Sequence, residues 1–190
     1  MEKFYLEEPN INRKEEAINY IEEHYKYNSN INGSGGLHRY IDNYENWLEK
    51  LNNDYNQIPN EERVPARTYY LIRENDNKII GMINIRLELN EQLKQHGGHI
   101  GYGIRPTERK KGYNKINLYL GLQVCHEYGI KEVYLDADEL NPASWRTMEA
   151  LGGVLEEKYN DEDIIVRKYS INVDESLNKY KNNYHKLIRR

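Results

Sequence analysis

Cysteine is almost missing from this 190-residue chain; Cys125 stands alone. A single thiol excludes an intrachain disulfide and a cysteine metal centre. It falls on an apolar helical stripe, where a thiol packs as a small hydrophobe. The histidines are scattered and never take a His-x-x-x-His spacing, so no metal is indicated. Long apolar runs are missing too. No stretch approaches the length of a membrane span, and Met-Glu-Lys-Phe-Tyr-Leu-Glu-Glu at the start has no signal-peptide core. The expectation is a cytoplasmic protein with no membrane partner. Excess positive charge is lacking as well: a formal net charge of −4 supplies no global field for nucleic acid. Hydrophobic residues make up 38% and charged residues 31%, which is polar, yet periodic apolar segments run through most of the length and exclude wholesale disorder. With no long linker, residues 1–190 read as one domain.

What the chain does have is an organised stretch from Gly101 to Leu122. His99 to Ile104 alternates as a short strand would, Pro106 to Lys111 is a turn carrying Arg109, Lys110 and Lys111, and Gly112 admits a tight backbone. A helical pattern follows, with Ile116, Leu120 and Val124 on one stripe and Leu118, Leu122 and Cys125 beside it. A strand that runs through a basic turn into a helix gathers free backbone N–H groups, helix dipole and cations at one point. That is an anion site, most naturally for phosphate. A P-loop needs Gly-Lys-Ser/Thr at the helix start, whereas Tyr113-Asn114 follow Gly112. A dinucleotide fold needs a third glycine after Gly101-Tyr-Gly103 and an earlier position in the chain.

The spacing Arg109-x-x-Gly112-x-Asn114 resembles the pyrophosphate loop of the GNAT superfamily, the GCN5-related N-acetyltransferases, whose pattern is Gln/Arg-x-x-Gly-x-Gly/Ala. Asn114 departs from the last position, though Asn tolerates strained backbone better than most residues. A second segment, Asn141-Pro-Ala-Ser144-Trp-Arg-Thr-Met148-Glu-Ala-Leu-Gly152-Gly153, is similar to the later GNAT motif. The wording from Gly97 to Tyr113 is similar to a bacterial subgroup of GNAT acetyltransferases. The resemblance implies an α/β (α+β) fold: a mixed, mostly antiparallel central sheet flanked by helices and splayed at the cofactor strand. It implies acetyl-CoA as cosubstrate, no metal, and acetyl transfer to a small amine or amino-acid-like acceptor by a monomer or homodimer.

In chain order, Lys3 to Glu7 reads as a strand, and Asn12 as the cap of a helix over about 13–27. Residues 28–36 read as a glycine-rich loop, followed by a helix carrying Leu37, Tyr40, Ile41, Tyr44, Trp47, Leu48 and Leu51. Residues 1–60 would thus be a helical acceptor-side region. Strands are expected over 67–72 and 79–89, with a bulge at Gly81 and with Ile79, Ile83 and Ile85 on one face, then a loop over 91–98. A strand over 131–137, a helix capped by Asn141, a hairpin over 154–159 and 163–173, and a polar, solvated helix or tail over 174–190 complete the chain.

By resemblance, the diphosphate would sit on the N–H groups of Lys110 to Asn114, Tyr113 included, with Arg105, Arg109, Lys110 and Lys111 beside it. The pantetheine arm would lie along the His99–Ile104 strand, and the N–H of Ile104 would face the oxyanion. Asn141 and Ser144 fall where the family contacts the arm. The family's usual proton-donating tyrosine is replaced by Met148; Tyr102 and Tyr113 are the nearest hydroxyls in sequence. His99 and Glu139 are candidate general bases, each with a structural reading too. The acidic stretch Asp136, Asp138, Glu139 suits either a cationic acceptor or a solvated turn. An alternative function is a non-catalytic acyl-CoA-binding or sensor domain on the same fold.

Overall fold

In the computed structural model, which describes residues 2–189, two antiparallel sheets meet along one short seam. The two end residues of the expected 1–190 domain, and so the last residue of the 174–190 segment, lie outside the described residues. The first sheet runs in the order β1 (Phe4–Glu7), β2 (Ala66–Arg73), β3 (Lys78–Arg86), β4 (Ile100–Ile104). The second holds β5 (Glu132–Asp138), β7 (Ile164–Asn172) and β6 (Val154–Asp161), in that order. Helices α1 (Lys14–Lys26) and α2 (Tyr44–Tyr55) cover one face of the first sheet, burying Tyr20, Ile21 and Trp47 against Tyr70, Ile72, Ile79 and Met82. A short α3 (Glu91–Gln95) precedes β4. On the other face α4 (Tyr113–Glu127) sets Ile116, Leu118 and Leu122 against Ile83, Ile85, Ile100 and Ile104. That core continues under the second sheet through Leu135, Tyr169 and Met148 of α5 (Pro142–Glu149), and α6 (Val173–Tyr184) closes it. Cys125 is fully buried in this core, and burial pushes its thiol up to about 12, so it packs rather than reacts.

Several elements differ from the sequence expectation, each for a local reason. Asn10, not Asn12, caps the first helical segment; its side chain accepts from the Asn12 N–H, and a tight turn over Ile11–Arg13 leads into α1. The aromatic periodicity from Leu37 onward is interrupted. A single turn spans Leu37–Arg39, and α2 starts afresh after Asn43, whose side chain accepts from the Asn46 N–H. The bulge lies opposite the Leu71/Ile72 step, so Ile79 faces α1 and α2 while Ile80, Ile83 and Ile85 face α4. One extra residue flips the alternation; Ile79 therefore leaves the face it was expected to share. The expected loop over 91–98 contains α3, capped by Asn90.

The C-terminal segment is a helix with one solvated face and one packed face, rather than solvated all round. Tyr184 stacks on Tyr119 at 4.7 Å, and the chain then returns to β1: the Phe4 N–H donates to Leu187 O at 2.7 Å and the Arg189 N–H to Phe4 O at 2.9 Å. The tail thus covers an edge that would otherwise offer unpaired backbone groups.

The seam between the sheets is one isolated bridge, Gly98 to Leu135. The His99 N–H donates to Tyr134 O at 2.7 Å, and the Tyr134 N–H returns a bond to His99 Nδ1 at 3.1 Å. Beyond it, β4 and β5 share no ladder among the described residues, so the sheets splay. Gly98 is required here. Its φ is +60°, and a Cβ would run into the Tyr134 carbonyl. Gly98→Ala is therefore expected to lower stability by about 3 kcal/mol in urea denaturation. Gly101→Ala, whose Cβ would meet nothing nearer than 3.7 Å, should stay within about 1 kcal/mol.

Candidate active site

The splay leaves one edge of β4 without a partner. Gly103 and Gly101 lie opposite Met82 and Asn84, the Arg105 N–H donates to Ile80 O, and the Arg86 N–H to His99 O. Odd-numbered residues of β4 therefore turn their N–H and C=O toward β3. Even-numbered Ile100, Tyr102 and Ile104 turn theirs toward the gap. An extended amide chain laid in that gap would find alternating donors and acceptors.

The turn after β4 is built by buried charge. Arg105 is only 1% exposed; its Nε donates to Ile79 O at 2.9 Å and its Nη1 to Asn19 Oδ1 at 2.8 Å and Glu23 Oε2 at 3.0 Å. Its guanidinium is held between β3 and α1, with Nη2 buried and unpartnered among the described residues, so the side chain turns away from the N–H groups at the start of α4. Glu23 also accepts from the backbone and hydroxyl of Thr107. Glu108 is buried beneath the turn and binds Arg73, Lys78 and Lys111 at 3.0, 3.1 and 2.8 Å. Burial alone would raise its pKa, but bonds from Lys111, Arg73 and Lys78 outweigh it and hold the carboxyl at about 2. Lys111 is thus tied to Glu108, while Lys110 has no side-chain partner among the described residues.

The backbone then curls. Lys110 has φ +63° and Gly112 φ +82°, and Gly112 is the N-cap of α4. The N–H groups from Lys110 to Asn114 find no acceptor among the described residues. Left-handed steps ahead of a 15-residue helix aim these donors at one point. The buried Oδ1 of Asn114 also lacks a partner there, and the Tyr113 hydroxyl is spent on Glu2 at 2.8 Å. Arg109 donates from Nε to Ile104 O at 3.0 Å and from Nη2 to Ser29 Oγ at 2.6 Å.

Across the gap, Asn141 caps α5, its Oδ1 accepting from the Ser144 N–H at 3.3 Å. The Tyr102 hydroxyl meets Ser144 O and Oγ, each at 3.1 Å, and so spans from β4 to α5. Met148 is 1% exposed, sealed in the core. Glu139 binds Lys158 and Arg167, each at 2.6 Å, which lowers its pKa and weakens it as a base. Asp136 accepts from the Gly97 N–H and the Tyr159 hydroxyl, and Asp138 from the Leu140 N–H. The acidic stretch is thus largely bound by its own surroundings, although the buried Oδ1 of Asp136 has no partner among the described residues.

His99 sits at the closed end of the gap, roughly 17 Å along the strand from Ile104. Its Nδ1 lone pair is occupied by the Tyr134 N–H, which assigns the neutral proton to Nε2 and leaves no nitrogen free to act as a base. Burial, aided by the nearby Arg86, pulls its pKa down to about 4. The structure thus gathers Ile104, Lys110, Gly112 and Asn114 at the open end, with Asn141 and Ser144 across the gap. It leaves His99 and Glu139 as structural groups.

Sequence reasoning missed Glu23, Glu108 and Ser29, which hold the turn. Glu23 and Ser29 are about 80 positions from their partners, and no local spacing signals such pairs. Between α2 and β2, a pocket of about 350 Å³ is lined by Glu8, Leu51, Tyr55, Arg67 and Thr68 among others. Among the described residues no group of three or more His, Cys, Asp or Glu is placed to hold a metal ion, and no helix is long and apolar enough to cross a membrane.

The His99 shift has a sign. Its folded pKa lies below the unfolded value of about 6.5, so the stability of the neutral ring is whole above pH 6.5 and drains as pH falls toward 4. Between pH 7 and 5 this should cost about 2 kcal/mol in denaturant titration, and His99→Gln should remove most of that difference.

The model of the acetyltransferase (GNAT) family matches residues 36–152. Mutant forms of the spermidine/spermine N-acetyltransferase SpeG from Vibrio cholerae share the fold at TM-score 0.64 and 19% identity, over 93% of this chain and 98% of that one. A ribosomal-protein-S5-alanine acetyltransferase from Vibrio fischeri does so at 0.66 and 14%, over 92% and 95%. An acetyltransferase (GNAT family) from Bacillus anthracis does so at 0.59 and 16%, over 90% and 96%. No curated protein matches the chain. The family match spans more than half of the chain and contains both the unpaired β4 edge and the N–H cradle of α4, and the chain belongs to the acetyltransferase (GNAT) family, a family of acyltransferases.

Proposed function

We propose that this acyltransferase moves an acetyl group from acetyl-CoA to a primary amine of a small or amino-acid-like acceptor, by direct attack in a ternary complex. The observation that carries the reading is the free edge of β4 ending beside a curl of unpaired N–H groups at the start of α4. The diphosphate would take the N–H groups of Lys110 to Asn114 with Lys110 adding charge, and the pantetheine amides would pair with Tyr102 and Ile104. GNAT enzymes use acetyl-CoA as cosubstrate, and these groups match its diphosphate and arm.

The amine nitrogen attacks the thioester carbonyl, a C–N bond forms, and the C–S bond breaks to release a thiolate. The Ile104 N–H, which turns into the gap, would take the developing oxyanion. No hydroxyl stands at Met148, but a CoA thiol with a pKa near that of cysteine, about 8.5, leaves readily as thiolate. The nitrogen loses a proton as the amide forms, and the thiolate takes up a proton in turn, from solvent or through the Tyr102 and Ser144 hydroxyls, which bond each other. The acceptor would come from the side of α1 and α2, where the pocket offers one carboxylate, Glu8, already paired with Arg67. The similar structures include acetyltransferases named for a polyamine and for a ribosomal protein, both of which present amines.

Two measurements test this reading. Free-thiol release from acetyl-CoA with a panel of primary amines should exceed the amine-free rate; equal rates for every amine would overturn amine transfer. Gly112→Val forces a branched residue to φ +82° and disperses the N–H cradle. It should weaken acetyl-CoA binding more than about tenfold in calorimetry while the circular dichroism spectrum is kept, because nothing crowds that position. An unchanged affinity would overturn the loop assignment.

A further inference from the structure

Three buried polar atoms in one part of the molecule have no partner among the described residues: the Tyr20 hydroxyl, His24 Nε2 and Arg105 Nη2. Their residues are 0%, 0% and 1% exposed. The side chains adjoin one another. The Tyr20 and His24 ring centroids are 4.5 Å apart, and the Arg105 guanidinium carbon lies 5.4 Å from the Tyr20 ring centre. The hydroxyl stands over Gly103, where a Cβ would lie 3.4 Å from it and 2.8 Å from Asn32 O. No donor among the described residues reaches Asn32 O. Segment 29–36 lies directly on β4 here, since a Cβ on Gly33 would come within 2.6 Å of Tyr102 Cα. Buried polar groups left bare are costly, and a group of four calls for a shared partner.

The chemistry of the four groups defines that partner. His24 Nδ1 lies 2.8 Å from Tyr20 O, a carbonyl that only accepts, so the ring proton sits on Nδ1 and Nε2 carries a lone pair. This is the reverse of His99. Burial lowers the His24 pKa; Arg109 and Arg105 act in the same direction, against the Tyr20 carbonyl and Glu23, so the ring is neutral at pH 7. Arg105 Nη2 only donates, Asn32 O only accepts, and the Tyr20 hydroxyl does either. An anion would meet the His24 lone pair and the Asn32 carbonyl, and a cation would meet Arg105. Two donors and two acceptors are the complement of one water molecule.

We propose that Tyr20, His24, Arg105 and Asn32 O hold one buried water, a joint between α1, the end of β4 and segment 29–36. The water accepts from Arg105 Nη2 and the Tyr20 hydroxyl and donates to His24 Nε2 and Asn32 O. The segment is fixed elsewhere too: the Ser29 N–H donates to His24 O at 2.9 Å, and Trp47 Nε1 and Lys50 Nζ donate to Gly35 O. None of those bonds satisfies the four groups. The joint shares no side chain with the N–H cradle of α4, so it stands apart from the cofactor reading.

Tyr20→Phe in the full chain tests the joint, because a bonded and a bare hydroxyl respond with opposite sign. Deleting a hydroxyl that bonds a held water leaves the water and its other partners short, so the thermal midpoint should fall by about 2–4 °C. Deleting a bare hydroxyl relieves its desolvation, so an unchanged or raised midpoint would overturn the joint. Sodium chloride should move the midpoints of wild type and variant alike; a stabilisation by chloride that Tyr20→Phe abolishes would assign the site to an anion instead. Two measurements on the wild type need no variant. A crystal structure should show one ordered water within about 3.2 Å of Tyr20 Oη, His24 Nε2 and Arg105 Nη2, and its absence there would sink the proposal. Nitrogen NMR at pH 7 should find the His24 proton on Nδ1; a proton on Nε2 would remove the acceptor and the joint with it.

Discussion

Two sheets pinned at one end and free at the other are the constraint on which the site depends. The pin is small: the Gly98–Leu135 bridge, two bonds between His99 and Tyr134, and a glycine with no room for a side chain. Everything beyond it follows from strand geometry. Once β5 leaves β4, the even-numbered residues of β4 have backbone groups and nothing to pair them. Unpaired strand edges are costly when buried and sticky when exposed. Here the edge stays open, with the shared core of α4 and α5 beneath it.

Charge is distributed with the same economy. Arg105, Lys111, Arg73 and Lys78 are held by Glu23 and Glu108, whose carboxyls shape the turn rather than the ligand. The turn can curl because its own cations are neutralised from below, and the N–H groups stay unspent. Lys110 remains outward as the mobile charge. Across the gap, Glu139 and Asp138 are satisfied locally, and Asp136 is held through Oδ2 alone, its buried Oδ1 lacking a partner among the described residues. Both named general-base candidates are tied to partners, His99 to Tyr134 and Glu139 to Lys158 and Arg167. A reaction that expels a good leaving group makes little demand on such groups.

The order of elements, the strand–turn–helix around Gly112 and the Asn141 cap were legible because each is local. A strand alternates, a helix repeats every three to four residues, and a cap acts within one turn. The misread elements also had local causes that a periodic pattern hides. One extra residue near Gly81 moved Ile79 to the other face, and Asn43 restarted a helix whose aromatic spacing ran on without a break. The C-terminal segment looked solvated because its apolar residues are few, yet Tyr184 and Leu187 suffice to seat it beside Tyr119 and Phe4.

The sequence by itself determined the family, the basic strand–turn–helix around Gly112 and the methionine at 148. These depend on residue type at fixed short spacing, which the chain carries wherever it folds. Only the tertiary structure decided which of the named side chains are free. Arg105, His99 and Glu139 look equally available on paper; burial and partners far along the chain commit all three, while Arg109 is turned into the gap and bound to Ser29. Such pairings join residues tens of positions apart, and a hydrogen bond depends on distance in space, not on separation in the chain.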